Sequence, residues 1–322
     1  MRTLVTGGAG FIGSHLVDRL LVEGHEVRVL DSFSTGKREN LAHVQERITL
    51  HEADVRDVAA VERAAEGCEV VFHEAAVVSV PYSVEHPQET HDVNLQGTLN
   101  VLLAARKHRV RRVVFASSAA IYGEEPTLPK SESMLPEPIA PYGVEKLASE
   151  HYLHTFAKLY GVETVALRYF NVFGPRQDPS SPYSGVISVF VRRLLANEPI
   201  TIFGDGQQSR DFVEVRDVVA ANLLAATVPG VSGRVFNVAR GERTTLLELA
   251  ELLGKLAGRD AGPKLAAERA GDIRHSHASI DRARAELGYL PQVSVAAGLT
   301  ALFEHERGSI VAVADSSEVL GP

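Results

Sequence analysis

Seven residues, Gly7-Gly8-Ala9-Gly10-Phe11-Ile12-Gly13, constrain this chain more than any other stretch. They follow a short apolar run, Thr3–Thr6, and precede apolar residues at helical spacing: Leu16, Val17, Leu20 and Leu21. Three glycines spaced G-x-x-G-x-x-G between a strand and a helix are a variant of the dinucleotide fingerprint. Gly7 permits a tight turn, Gly10 lets the backbone approach a pyrophosphate, and Gly13 lets helix pack on strand. The free N–H groups and positive dipole end of the helix then face the phosphates. A glycine triplet alone also fits any tight turn, so the residue closing the next strand matters. Asp31 ends the apolar run Glu26–Asp31, where a carboxylate accepts from an adenosine ribose and repels a 2′-phosphate. The turn and this aspartate together predict NAD rather than NADP. Asp54-Val55, after the run Ile48–Ala53, is a further candidate for the adenine.

The alternation continues. Strand-length runs at Val70–His73, Arg112–Ala116 and Thr164–Arg168 are separated by helical patterns at Val58–Ala65, Val93–Ala105 and Tyr142–Leu159. That order predicts an α/β fold of Rossmann type, a doubly wound parallel sheet with helices on both faces. After Arg168 a turn-rich stretch, Gly174–Pro182, leads into shorter elements. These are helices near Val186–Ala196, Val218–Ala226, Leu246–Ala257 and Ala296–His305, and strands near Ile200–Phe203, Asp211–Val215 and Arg234–Val238. We expect residues 1–168 to bind the dinucleotide, with 211–238 returning to that unit. Residues 169–210 and 239–310 form a smaller mixed α/β substrate domain, and 311–322 a weakly ordered tail.

Composition narrows the partners. With 33 Lys and Arg against 41 Asp and Glu among 322 residues, the chain has a formal charge of −8 and carries no basic block, which argues against nucleic acid. One cysteine, Cys68, excludes an intrachain disulfide and a cysteine-built zinc site. His275-x-His277 lacks a neighbouring carboxylate cluster, so no metal is expected. Without an apolar stretch of membrane-spanning length, a cytoplasmic protein with no membrane role is expected.

The chemistry is carried by a second constellation. Ser117-Ser118 ends the fifth run, at the carboxyl edge where such sheets bind ligands. Pro141-Tyr142-Gly143-Val144-Glu145-Lys146 opens a helix, with Tyr142 and Lys146 one turn apart on one face. A phenol of pKa about 10 needs roughly 4 kcal/mol to ionise at neutral pH. A nearby ammonium and an oxidised nicotinamide both lower that barrier. Ser118 would donate to the same reacting oxygen.

Taken with Val93–Thr98, Ser117–Gly123, Leu167–Pro175, Gly204-Asp205-Gly206, Ser209–Phe212 and Gly271-Asp272, these motifs resemble the extended short-chain dehydrogenase/reductase family, and within it the nucleotide-sugar 4-epimerases. The resemblance implies an enzyme that inverts the C4 hydroxyl of a UDP-hexose through a transient 4-keto sugar, with NAD kept bound and Ser118, Tyr142 and Lys146 catalytic. It further implies cofactor contacts at Gly7, Gly10, Phe11, Ile12, Gly13, Asp31, Asp54, Val55, Ala75, Asn94 and Tyr169, as well as Tyr142 and Lys146. Substrate contacts are implied at Ser118, Asn171, Arg210, Arg269, Asp272 and Ser276. Sister dehydratases and decarboxylases carry acids just after the Ser118 position; here Ala119 and Ala120 favour plain epimerisation. A small Ser276 leaves room for an N-acetylated hexosamine, whereas Arg192 or Arg193 near the sugar C6 would suit a glucuronate. Val78 stands where the family often has a lysine. Resembling proteins pair helices equivalent to 89–109 and 142–160 into a dimer. The sequence leaves open which sugar is preferred, and leaves two rivals: a reductase using external cofactor and a non-catalytic nucleotide-sugar sensor.

Overall fold

In the computed structural model, which describes residues 1–178, 185–268 and 274–318 (side chains through 308), the apolar runs become parallel strands. They are β1 (Arg2–Thr6), β2 (Glu26–Asp31), β3 (Ile48–Glu52), β4 (Val70–His73), β5 (Arg112–Ser118) and β6 (Glu163–Tyr169). With the strand Arg234–Val238 they form one seven-stranded sheet in the order (Arg234–Val238)-β6-β5-β4-β1-β2-β3. Every neighbouring pair is parallel. The order reverses between β1 and β4, which opens a crevice at their carboxyl ends.

Period-two alternation sorts the strand side chains into two cores. Val5, Val29, Phe72, Val114 and Val165 face the helices α1 (Phe11–Val22) and Val215–Thr227. Leu4, Leu30, Val71, Val113 and Ala166 face α2 (Val58–Ala65), Gly97–Lys107 and Pro141–Tyr160. Burial on both faces explains why these strands read as continuous apolar runs. A third core, built from Phe173, Phe190, Leu194, Ile202, Phe212, Leu249, Leu253, Leu299 and Phe303, holds the smaller domain together.

Two elements differ in detail from the sequence expectation. Within 211–238 only Arg234–Val238 joins the large sheet; Phe212–Glu214 pairs instead with Asn171–Phe173, and Glu214 caps the next helix by accepting from Arg216 N. The predicted helix over Val93–Ala105 opens with a π-turn, Asp92–Gln96, before Gly97–Lys107; π-turns of this kind collect at functional sites. The last helix runs Val295–Glu318. Among the described residues no helix is long and apolar enough to cross a membrane.

Candidate active site

The glycine turn is built as tightly as its sequence implies. Gly7 has φ +69, donates to Leu30 O at 2.8 Å and lies against the backbone of Ala75, where a Cβ would stand 2.7 Å from Ala75 N. A Cβ on Gly13 would lie 2.2 Å from Gly7 O. On Gly10 it would lie 3.1 Å from the same oxygen, so any side chain there would project into the space beside the turn. Gly10 is also the N-cap of α1 and offers no side-chain acceptor, which leaves the amides of Phe11 and Ile12 at an uncapped helix start. That cradle, a helix N-terminus with a carboxylate across it, fits a dinucleotide pyrophosphate and ribose.

Asp31 is 6% exposed. Its Oδ2 accepts from Ala9 N and its Oδ1 from Phe33 N, both at 2.8 Å. Each carboxylate oxygen keeps a second lone pair for a ribose hydroxyl, while burial holds the carboxyl above the usual range. Asp54 is otherwise engaged: Arg56 grips it through Nε and Nη2 at 2.9 and 2.7 Å, and this partner, not burial, pulls its carboxyl down. Val55 is buried, its carbonyl accepting from Asn100.

Ser118, Tyr142 and Lys146 come together at the carboxyl ends of β5 and the start of the Pro141–Tyr160 helix. Pro141 opens that helix and Ala140, its N-cap, supplies no side-chain cap. Lys146 is 2% exposed, its Nζ donating to Ala116 O at 2.7 Å and standing 4.7 Å above the Phe115 ring and 5.7 Å from the Tyr142 ring. Burial brings it down to about 8, opposed by the charges of Glu74, Glu145 and Glu150. Burial pushes Tyr142 up to about 12, opposed by the neighbouring Ser118 hydroxyl. Ser118 Oγ accepts from Ala120 N at 3.1 Å, and Ala119 and Ala120 lie in the turn Ala119–Tyr122. No acid therefore follows Ser118 there.

Two site residues are committed within the protein. Asn94, on the π-turn, accepts from Val77 N at 2.8 Å and donates to Val77 O and to Glu145 Oε2 at 3.0 and 2.7 Å. Tyr169 donates to Glu74 Oε1 at 2.8 Å and accepts from Asn222 Nδ2 at 2.7 Å. Glu74, absent from the sequence reading, is raised to about 7 by burial. Its signal was only one acidic residue just past a buried strand. His73 was also missed. Thr98 donates to Asn94 O, so His73 Nε2 donates to Thr98 at 3.0 Å and Nδ1 accepts from Thr6 at 2.7 Å. Burial first, and then Lys146, hold this ring neutral, down to about 3.

Of the residues expected to hold the substrate, Asn171 donates to Asp211 O at 3.3 Å. Arg210 donates to Ser209 O and Arg274 O at 3.0 and 3.4 Å. Ser276 N donates to Ser209 O at 3.0 Å, which places Ser276 beside Arg210. Fully buried Asp211 is the hub of this side, accepting from the backbone N–H groups of Arg240, Gly241 and Ala278; burial raises it to about 6. Arg192 is on the exposed side of its helix, and Arg193 Nη1 is spent on Pro199 O and Thr201. Arg269 and Asp272 lie outside the described residues.

A Rossmann sheet with this glycine turn, an aspartate closing β2 and a Ser-Tyr-Lys cluster at the sheet edge defines a nicotinamide-dinucleotide enzyme. The sequence profile of the NAD dependent epimerase/dehydratase family matches residues 3–239, and the chain belongs to that family. It is 42% identical over 311 residues to the UDP-glucose 4-epimerase of Mycolicibacterium smegmatis, covering 95% of this chain and 99% of that one. The crystal structure of UDP-glucose 4-epimerase with UDP-glucose from Thermotoga maritima matches with a TM-score of 0.91 at 42% identity, covering 96% of this chain and all of the other. UDP-N-acetylglucosamine 4-epimerase from Methanobrevibacter ruminantium, in complex with UDP-N-acetylmuramic acid, matches with the same TM-score at 39% identity, covering 96% and 98%.

Proposed function

We propose that this protein is an NAD-dependent UDP-hexose 4-epimerase, acting on UDP-glucose and UDP-galactose or their N-acetylated counterparts. The observation that carries the reading is the buried Tyr142 phenol beside Ser118, with the Lys146 ammonium 5.7 Å from its ring, all at the carboxyl edge of the sheet. NAD, held by the glycine turn and Asp31, supplies a reversible hydride acceptor. The protein's own groups handle the proton. Tyr142 takes it from the sugar 4-hydroxyl and returns it, Ser118 orients that oxygen, and Lys146 stabilises the phenolate. Asn171, Arg210 and Ser276 line the nucleotide side, joined in this reading by Arg269 and Asp272. With alanine at 119 and 120, no side chain there can serve elimination or decarboxylation.

Retention of the cofactor is supported by a clasp between domains. Pro175 O accepts from His15 Nε2 at 2.9 Å, Arg176 pairs with Asp18 at 2.8 Å, and Lys37 with Asp178 at 3.2 Å. Those contacts join the loop after Asn171–Phe173 to the elements that flank the glycine turn, which favours an epimerase over a reductase exchanging its cofactor. A homodimer through the Gly97–Lys107 and Pro141–Tyr160 helices is part of the proposal, supported by exposed Leu103, Val144, Tyr152 and Leu159. Light scattering should give twice the chain mass. The functional test is incubation with UDP-glucose, UDP-N-acetylglucosamine and UDP-glucuronate without added cofactor. Epimer formation supports the reading. Steady consumption of added NADH without epimer would favour the reductase, and binding without turnover the sensor.

A further inference from the structure

Glu145 sits between Tyr142 and Lys146 on the catalytic helix, is only 4% exposed, and enters the chemistry above only through its charge on Lys146. Among the described residues no cation lies within ion-pair distance of its carboxylate. A buried carboxylate without a cation is unfavourable unless both oxygens are satisfied. Here each oxygen takes one neutral donor: Oε1 from Thr90 Oγ1 at 2.8 Å and Oε2 from Asn94 Nδ2 at 2.7 Å. The second bond matters because it uses up the Asn94 amide. One Nδ2 hydrogen goes to Glu145 and the other to Val77 O, while Oδ1 accepts from Val77 N. Turning the amide over would set its oxygen against Glu145 Oε2 and Val77 O, so Glu145 enforces the same single orientation that brackets the peptide of Val77. Val77 in turn lies in the segment that starts at Ala75, packed against Gly7 of the cofactor turn.

We propose that Glu145 is a positioning residue that locks the Asn94 amide, and through it the Ala75–Ser79 segment of the cofactor crevice, to the helix carrying Tyr142 and Lys146. Asn94 thereby serves the crevice through Val77, since neither of its N–H groups is left for a ligand. This inference rests on the reading of Tyr142 and Lys146 as the reacting pair, but its test also has a readout that does not depend on turnover.

Glutamine at this position can preserve the arrangement. Its carbonyl accepts from Asn94, and its amide donates to Thr90 Oγ1, whose hydrogen then goes to Pro87 O, already 3.2 Å away. Alanine cannot, and it leaves a buried donor unpaired, a loss worth about tenfold in the affected equilibrium. The experiment is a double-mutant cycle of Glu145→Ala and Asn94→Ala, with Glu145→Gln alongside, reading the NAD dissociation rate and kcat separately. Each alanine variant should release NAD about tenfold faster, the double variant no faster than the worse single, and Glu145→Gln should stay within about twofold of the parent. Additive effects, a parent-like Glu145→Ala, or a Glu145→Gln as impaired as the alanine would overturn the proposal. If Glu145→Ala does not fold, Glu145→Leu, which fills the space and offers no acceptor, takes its place in the same cycle. Were the parent to hold NAD yet form no epimer, the functional reading would fail while the cycle still decided the coupling.

Discussion

Replacing Lys146 by methionine should make the cofactor-free protein more stable while removing its activity. The ammonium is buried, and moving it from 10.5 to about 8 costs the folded state about 3 kcal/mol at pH 7. Methionine has nearly the same length and no charge, so that cost disappears. Against it stands the lost hydrogen bond to Ala116 O, worth about 1 kcal/mol. Glu74 also loses a favourable charge, but at about 7 it takes up a proton in response. The net gain at pH 7 is about 2 kcal/mol. Its pH dependence is the more discriminating quantity. Between about 8 and 10.5 the unfolded chain binds the proton and the folded protein does not, so the stability of the parent rises with pH over that window. The advantage of the variant should therefore shrink by about 1 kcal/mol between pH 7 and pH 9. Urea unfolding of NAD-stripped protein at both pH values measures this. A Lys146→Met protein that is less stable at pH 7, or whose advantage does not change with pH, would refute the argument.

Other outcomes follow from single contacts. Asp31→Ala should weaken NAD by tenfold or more and narrow the preference over NADP, measured by titration with both dinucleotides; unchanged discrimination would show that another residue reads the ribose. Gly13→Ala, with its Cβ 2.2 Å from Gly7 O, should fail to fold or lose several kcal/mol. Gly10→Ala, at 3.1 Å, should fold and yet bind NAD poorly, as thermal melts with and without NAD would show. Asp211→Asn turns an amide donor toward one of the backbone N–H groups it accepts from, which should cost about 1–3 kcal/mol by urea unfolding.

Much of this was legible in the sequence because its signals are local. Runs such as Val70–His73 are buried on both faces and carry no other message, and Tyr142 and Lys146 are one turn apart whatever surrounds them. The glycine spacing encodes backbone approach directly. What stayed hidden depends on long-range pairing. Nothing near Asn94 in the chain announces that Glu145 will take one of its hydrogens, or that Glu74 and Asn222 will bracket the hydroxyl of Tyr169. The strand expected at Asp211–Val215 is cut short because Glu214 accepts the first-turn amide of the following helix, a capping event that apolar periodicity does not register.

The central claim is that the Tyr142 phenol moves the proton of the reacting sugar. The most direct test is turnover of Tyr142→Phe with UDP-glucose, with its NAD content measured in the same preparation. The account predicts NAD content like that of the parent and turnover lower by at least ~10²-fold, the scale of a lost acid–base group. A phenylalanine variant that keeps its cofactor and still forms epimer at the parental rate would contradict it.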